Sequence, residues 1–214
     1  METLEPDGLL TSKRIVIVGC PGAGKSTLAI QLGELLHIPV FHLDQLWWRP
    51  GWVEAGLDAF DAALAQVVLQ DEWIIDGNYS RTLDVRLAHA DTAIMLDFPR
   101  ALCLYRTLKR ALLYRGVVRP DMAPGCPEKV DWEFLRFVWD YPTRSRERVL
   151  QKLRLFGESN LFLHLGKARE VVHLLAAIRE SRQPFGTVSS SGPEDDGPAA
   201  IRSEAPRPPG APAR

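Results

Sequence analysis

Short apolar runs alternate along the chain with longer segments of helical periodicity. The runs are Arg14–Val18, Val40–His42, Trp73–Ile75, Thr92–Leu96 and Leu161–His164, and we read each as a strand. The periodic segments cover Lys25–Leu36, Leu57–Leu69, Arg100–Tyr114, Asp131–Trp139, Thr143–Leu155 and Lys167–Arg179, and we read each as a helix. Short apolar strands alternating with helices predict an α/β fold, a five-stranded parallel sheet with helices on both faces. Sheets of that kind bind ligands at the carboxyl ends of their strands. The residues just after each strand therefore carry the functional information.

The first strand, with Ile15, Val16, Ile17 and Val18, runs into Gly19-Cys20-Pro21-Gly22-Ala23-Gly24-Lys25-Ser26-Thr27. Leu28, Ala29, Leu32 and Leu35 follow at helical spacing. The pattern G-x-x-x-x-G-K-S between a strand and a helix is a phosphate-binding loop and predicts a P-loop NTPase fold. Its glycines let the backbone wrap a polyphosphate closely. Its N–H groups and the start of the helix supply positive potential. Lys25 is expected to meet the β/γ-phosphates of ATP or GTP, and the Ser26 hydroxyl to coordinate Mg²⁺.

The second strand leads into Asp44 and then Trp47, Trp48 and Trp52 in a loop with Pro50 and Gly51. A carboxylate beside the phosphate loop would orient an acceptor hydroxyl or take its proton. A turn or cap role is the plainer alternative. The tryptophans read equally well as an aromatic wall, Trp48 included, or as packing under the loop. The third strand ends in Asp76, the expected second protein contact to Mg²⁺ with Ser26. Gly77 and Asn78 follow, and no Glu stands next to Asp76 as it does in many water-activating ATPases. That favours transfer to a bound acceptor. Arg81 is placed to hold an acceptor anion, so Asp44, Trp48, Gly77, Asn78 and Arg81 form the expected acceptor-binding set.

After the fourth strand the chain turns basic. Arg100, Arg106, Lys109, Arg110, Arg115 and Arg119 come before the next acid, Asp121. Arg106 and Arg110 share a helix face by their i,i+4 spacing. The loop from Gly116 to Lys129 holds three prolines and two glycines, and Arg144, Arg146 and Arg148 lie further on. We read a short Arg-rich lid that neutralises transferring charge and excludes water. A nucleic-acid patch is the less favoured reading of the same charges.

Composition narrows the picture. The 214 residues are 46% hydrophobic and 25% charged, and the net charge of −1 argues against binding polyanions by bulk electrostatics. The three cysteines form no C-x-x-C, so neither a disulfide framework nor a zinc site is expected. A thiol inside the phosphate loop fits a reducing, cytoplasmic compartment, and no run has membrane-spanning length. The expected organisation is a polar arm over 1–12, a P-loop domain over 13–182 and a disordered tail over 183–214. That tail holds seven of the 16 prolines and almost no large apolar residue.

The segments GCPGAGKST, FHLDQLWWRPGW, WIIDGNYS, MLDFPR, LYRTLKR and RGVVRPDMAPGCPEK together resemble the adenylate-kinase-like P-loop kinases. Over about Lys13–Leu155 the chain looks most like the bacterial DNA topology modulation proteins, which are also catalogued as adenylate-kinase-like ATPases. The resemblance implies ATP on Gly19–Thr27, Mg²⁺ placement by Asp76 and an acceptor at Arg81. It also implies Arg106 and Arg110 at a lid hinge, with Arg144 and Arg146 facing the phosphates. Where adenylate kinases carry D-G-F-P-R, this chain has one residue more between Asp76 and Arg81, which argues against AMP as acceptor. The expected function is MgATP-dependent phosphoryl transfer to a nucleotide or other small molecule. A nucleotide-gated regulator acting on DNA topology or a protein partner is the alternative.

Overall fold

A computed structural model describes residues 7–182. The tail over 183–214 and the first six residues of the arm lie outside the described residues. In chain order the strands are β1 (Arg14–Gly19), β2 (Val40–His42), β3 (Trp48–Arg49), β4 (Val53–Glu54), β5 (Trp73–Asp76), β6 (Thr92–Leu96) and β7 (Leu161–Leu165). The helices are α1 (Asp7–Leu10), α2 (Lys25–Leu36), α3 (Leu43–Trp47), α4 (Leu57–Val68), α5 (Leu83–His89), α6 (Arg100–Leu113), α7 (Trp132–Tyr141), α8 (Glu147–Phe156) and α9 (Ala168–Arg182).

Five strands form one parallel sheet in the order β2-β5-β1-β6-β7. Strand β1 is central because it is apolar on both faces: Ile15, Val16, Ile17 and Val18 are all fully buried. Their side chains alternate between two cores, as a period of two requires. Ile15 and Ile17 join Leu28, Leu32, Cys103 and Ile178 on one face. Val16 and Val18 join Phe60, Leu64, Leu150 and Leu153 on the other. The chain leaves β1 toward β2 on one side and later returns to β6 on the other. The loop after β1 therefore lies at the switch point where such sheets open a crevice.

Most elements lie where the hydrophobic pattern puts them. Four local features differ. Asp44 is not in an open loop after β2 but in the first turn of α3, held there because Leu43 is fully buried. Strands β3 and β4 make a small antiparallel hairpin out of the tryptophan loop. The helix α5, preceded by a 3₁₀ turn at Ser80–Thr82, is too short for its periodicity to stand out. Finally, α7 and α8 run together through a wide π-type turn at Pro142–Arg146. Proline lacks the N–H that a regular i→i−4 ladder needs at that point.

The arm is also less polar in behaviour than in composition. Within 7–12, α1 buries Leu9 completely against the first core, and Ser12 shares a hydrogen bond with Thr92 of β6.

Two devices shape the crevice. The helix α3 and the hairpin β3–β4 are both tied to the loop 116–129. Gly51 N donates to Gly125 O at 2.8 Å, Trp52 Nε1 to Pro127 O at 3.1 Å and Gln45 Nε2 to Pro120 O at 2.7 Å. On the other side of the crevice, Arg86 of α5 is fully buried. It donates to the carbonyls of Gly77 at 2.8 Å, Asn78 at 2.6 Å and Tyr79 at 3.2 Å. Burial pushes its pKa down to about 10, so the guanidinium stays charged at neutral pH.

Leu9→Ala is expected to cost about 2–5 kcal/mol, the range for deleting a buried leucine. A urea midpoint unchanged by that substitution would show that residues 7–12 do not dock. Arg86→Met leaves the Gly77 and Asn78 carbonyls without a partner, at about 1–3 kcal/mol each, while Tyr79 O keeps its bonds from Thr82. A loss of at least about 2 kcal/mol is expected on that basis, and Arg86→Lys should restore it only in part because a compact ammonium lacks the spread, planar donor fork of a guanidinium.

Candidate functional site

The loop between β1 and α2 is shaped by close backbone approach. At Gly22, with φ +83°, an added Cβ would stand 2.3 Å from the Cys103 carbonyl oxygen of α6, so only glycine fits. Gly24, with φ +101°, caps α2 with no side-chain hydrogen bond, and nothing lies within 4 Å of where its Cβ would be. The first N–H groups of α2 thus open onto space, the arrangement that attracts anions. Lys25 is folded back, its Nζ 3.4 Å from Cys20 O. Cys20 and Ala23 are buried. Contact with the Cys103 thiol, with burial, keeps the Cys20 thiol protonated.

A cleft of about 1100 Å³ opens over this loop and is lined by Lys25, Ser26, Thr27, Asp44, Asp76 and Arg106 among others. Asp76, 5% exposed, accepts from or shares a proton with His42 Nδ1 through Oδ2 at 3.0 Å. Its Oδ1 is buried with no hydrogen-bond partner. A buried carboxylate oxygen left open in the same cleft as a serine hydroxyl suits a hard cation. Among the described residues no group of three or more His, Cys, Asp and Glu gathers as a metal site. An ion held by Ser26 and Asp76 would therefore complete its shell with phosphate oxygens and water.

On the other side of the cleft, Tyr79 Oη donates to Asp44 Oδ1 at 2.8 Å. Asp44 is half-buried. Burial pushes its carboxyl above the ordinary range, against the opposing hydrogen bond from Tyr79, and Asp76 adds to the rise. Tyr79 sits at φ +27°, a conformation held by Arg86. Asn78 Oδ1 accepts from Gly19 N at 3.0 Å, so this side chain braces the start of the phosphate loop while lining the cleft.

The tryptophans divide. Trp47 packs edge-on to Phe60 at 5.5 Å and near Tyr79 at 6.0 Å, within the core. Trp48 and Trp52 stand 5.4 Å apart and line the cleft.

The structure separates the arginines. Arg106 lines the cleft and donates to Ala23 O at 3.2 Å. Arg110 also lines it, with Nε 3.2 Å from Glu128 Oε1. Arg81, Arg144 and Arg146 do not line it. Arg81 pairs with Asp61 at 2.9 Å on the outer surface. Arg144 is largely exposed and pairs with Asp140 at 3.2 Å. Arg146 grips Asp97, Nε to Oδ1 at 2.7 Å. Burial pushes the Asp97 carboxyl up, but the bonds from Arg146 and His164 hold it below its usual value.

Glu128 and Arg86 escape sequence reasoning, and Arg119 is read there only as one of the basic lid residues. Arg119 lines the cleft and is held by Glu128 at 2.7 Å and by Asp121 at 2.7 and 2.9 Å. Glu128 is one of two acids, with Asp121, in a basic, proline-rich loop. Arg86 carried no signal, because a single arginine in a short polar segment reads as solvated.

No family model matches the chain, and no curated protein is significantly similar to it. Among solved structures, 177 chains match. One is described as "a putative kinase from chloroflexus aurantiacus j-10-fl"; it is 16% identical, with a TM-score of 0.45, and the match covers 79% of this chain and 97% of that one. The chemistry of the cleft must therefore be argued from its own residues.

Proposed function

We propose that the protein is a MgATP-dependent phosphotransferase acting on a small-molecule acceptor. One observation carries this reading. The uncapped, glycine-built start of α2, with Lys25 and Ser26, shares a single cleft with a buried Asp76 oxygen that has no partner and with the half-buried Asp44.

The division of labour follows from the geometry. Backbone N–H groups of Gly22 and of Gly24–Thr27 bind phosphate oxygens, while the Gly19 and Ala23 N–H groups brace the loop on Asn78 Oδ1 and Cys20 O, and Lys25 leaves the Cys20 carbonyl to join them. Ser26 and Asp76 would hold Mg²⁺, which would supply Lewis-acid stabilisation to the phosphates. His42 fixes the Asp76 carboxylate through Oδ2. Arg106, anchored on Ala23 O, offers its remaining donors to charge developing during transfer. Asp44 orients an acceptor hydroxyl and takes its proton.

The reading as a DNA-directed regulator, which the resemblance to topology modulation proteins suggests, finds less support. Arg106, Arg110 and Arg119 turn inward to a carbonyl and two carboxylates, which leaves fewer of the basic residues to track a phosphate backbone.

Lys25→Ala should weaken MgATP binding by roughly 10²-fold or more and abolish turnover, since its charge serves both states. Calorimetry beside circular dichroism checks this, and full ATP affinity in a natively folded variant would sink the kinase reading. Asp44→Asn keeps an acceptor for the Tyr79 hydroxyl but loses the base. Phosphoryl transfer should fall by roughly 10²–10⁴-fold with ATP affinity hardly changed.

The same substitution has a signature in stability. A carboxyl whose pKa is raised by folding holds its proton more tightly in the folded chain. Its contribution is then fully present in acid, below the unfolded pKa, and is lost as pH rises through the folded value. Asp44→Asn should accordingly melt at a higher temperature than the parent at neutral pH, and the gap should close toward acid pH. Identical melting at every pH would show that the ionised Asp44 carries no burial penalty.

A further inference from the structure

We infer that the phosphoryl acceptor is an uncharged, ring-bearing alcohol rather than a phosphorylated compound such as a nucleoside monophosphate. The inference rests on the kinase reading and concerns the acceptor end of the same cleft.

A phosphate-bearing acceptor needs positive charge that buried acids have not already neutralised. The two arginines at this end of the cleft are each paired with a buried acid. Arg119 gives Nε to Glu128 and Nη1 to both oxygens of Asp121. Arg110 gives Nε to the other oxygen of Glu128. Glu128 and Asp121 are buried, so these two arginines and two acids form a neutral, largely desolvated group. Lys129 lies 5.3 Å over the Trp52 ring and 4.0 Å from Asp131. Arg81, the residue best placed by sequence to bind an anion, is outside the cleft and closed on Asp61. Asp44 also faces this end of the cleft, a carboxylate that burial already disfavours as an anion. A phosphate dianion beside its ionised form would be repelled at low local dielectric.

The same wall suits a neutral body. Trp48 and Trp52 line the cleft edge to face, and Met122 packs behind them from the loop 116–129. Aromatic faces of this kind take up planar or cyclic groups. The cleft, at about 1100 Å³, exceeds the roughly 300–1,000 Å³ of a single small-molecule pocket, so a nucleotide and a ring-sized alcohol fit together. Because the hairpin β3–β4 is bonded to the loop 116–129, the wall and the neutralised arginines form one roof.

The step balances without a further reactant. The acceptor oxygen forms a bond to the γ-phosphorus of ATP. The bond from that phosphorus to the β,γ-bridging oxygen breaks, and its electron pair leaves with ADP. The hydroxyl proton passes to Oδ2 of Asp44, since Tyr79 occupies Oδ1.

The test is a paired panel. Nucleosides, aromatic alcohols and cyclitols are each offered beside their own phosphate monoester, with radiolabelled MgATP for transfer and a non-hydrolysable ATP analogue for calorimetry. At least one neutral member is expected to bind and be phosphorylated with at least a tenfold preference over its monoester. Preference for a monoester, or no response to any neutral member, overturns the proposal. Glu128→Gln, which loosens the hold on Arg110 and Arg119, should raise monoester affinity about tenfold. Asp44→Asn should do the same, and no gain in either variant counts against the charge argument. MgATP binding is measured on the same samples. If MgATP binds and the panel fails, the acceptor class is wrong and the kinase reading stands. If MgATP does not bind, both fall.

Discussion

A single buried guanidinium organises the side of the cleft that carries Asn78, Tyr79 and Asp44. The turn after β5 presents three carbonyls in succession, from Gly77, Asn78 and Tyr79, to the inner side of the turn. Arg86 meets all three. Together with the Thr82 bonds to Tyr79 O, that fork supports Tyr79 at φ +27°, and two links depend on it. One is Tyr79 to Asp44, the other Asn78 to the Gly19 amide at the root of the phosphate loop. A charge taken out of water is costly unless fully hydrogen-bonded. Here it is placed where the backbone has the greatest need of donors.

The phosphate side depends on a different constraint, the contact between the loop and α6. Gly22 lies so close to the Cys103 carbonyl that no side chain fits, and Cys20 packs in the core beside Cys103. The loop is therefore held closely against α6. The Lys25 side chain rests on its own loop at Cys20 O.

Charge is managed in the same local fashion. The basic stretch between Arg100 and Arg119 looks in one dimension like a free positive surface. In three dimensions Glu128 and Asp121 neutralise Arg110 and Arg119, Asp97 takes Arg146 and Asp140 takes Arg144. The lid-like loop is thus a fixed, charge-balanced roof joined to the tryptophan hairpin, and only Arg106 of this group stands at the loop itself.

Taken alone, the sequence determined the α/β class, nearly all of the large elements and the phosphate loop. The reason is that these are local properties: period-two and period-3.6 burial, and a glycine pattern that dictates its own backbone. It also singled out Asp44 and Asp76, because a carboxylate after an apolar strand falls at the open end of a parallel sheet. Tertiary structure decided which arginines face the cleft. The partners are far apart in the chain, as with Arg146 and Asp97 or Arg81 and Asp61, and helical spacing says nothing about a carboxylate on another element. It also decided that Arg86 is buried, that Trp47 belongs to the core while Trp48 and Trp52 face the cleft, and that Leu9 docks the arm. Each of these follows from what lies opposite a side chain once the sheet has closed, and one-dimensional pattern carries no record of that.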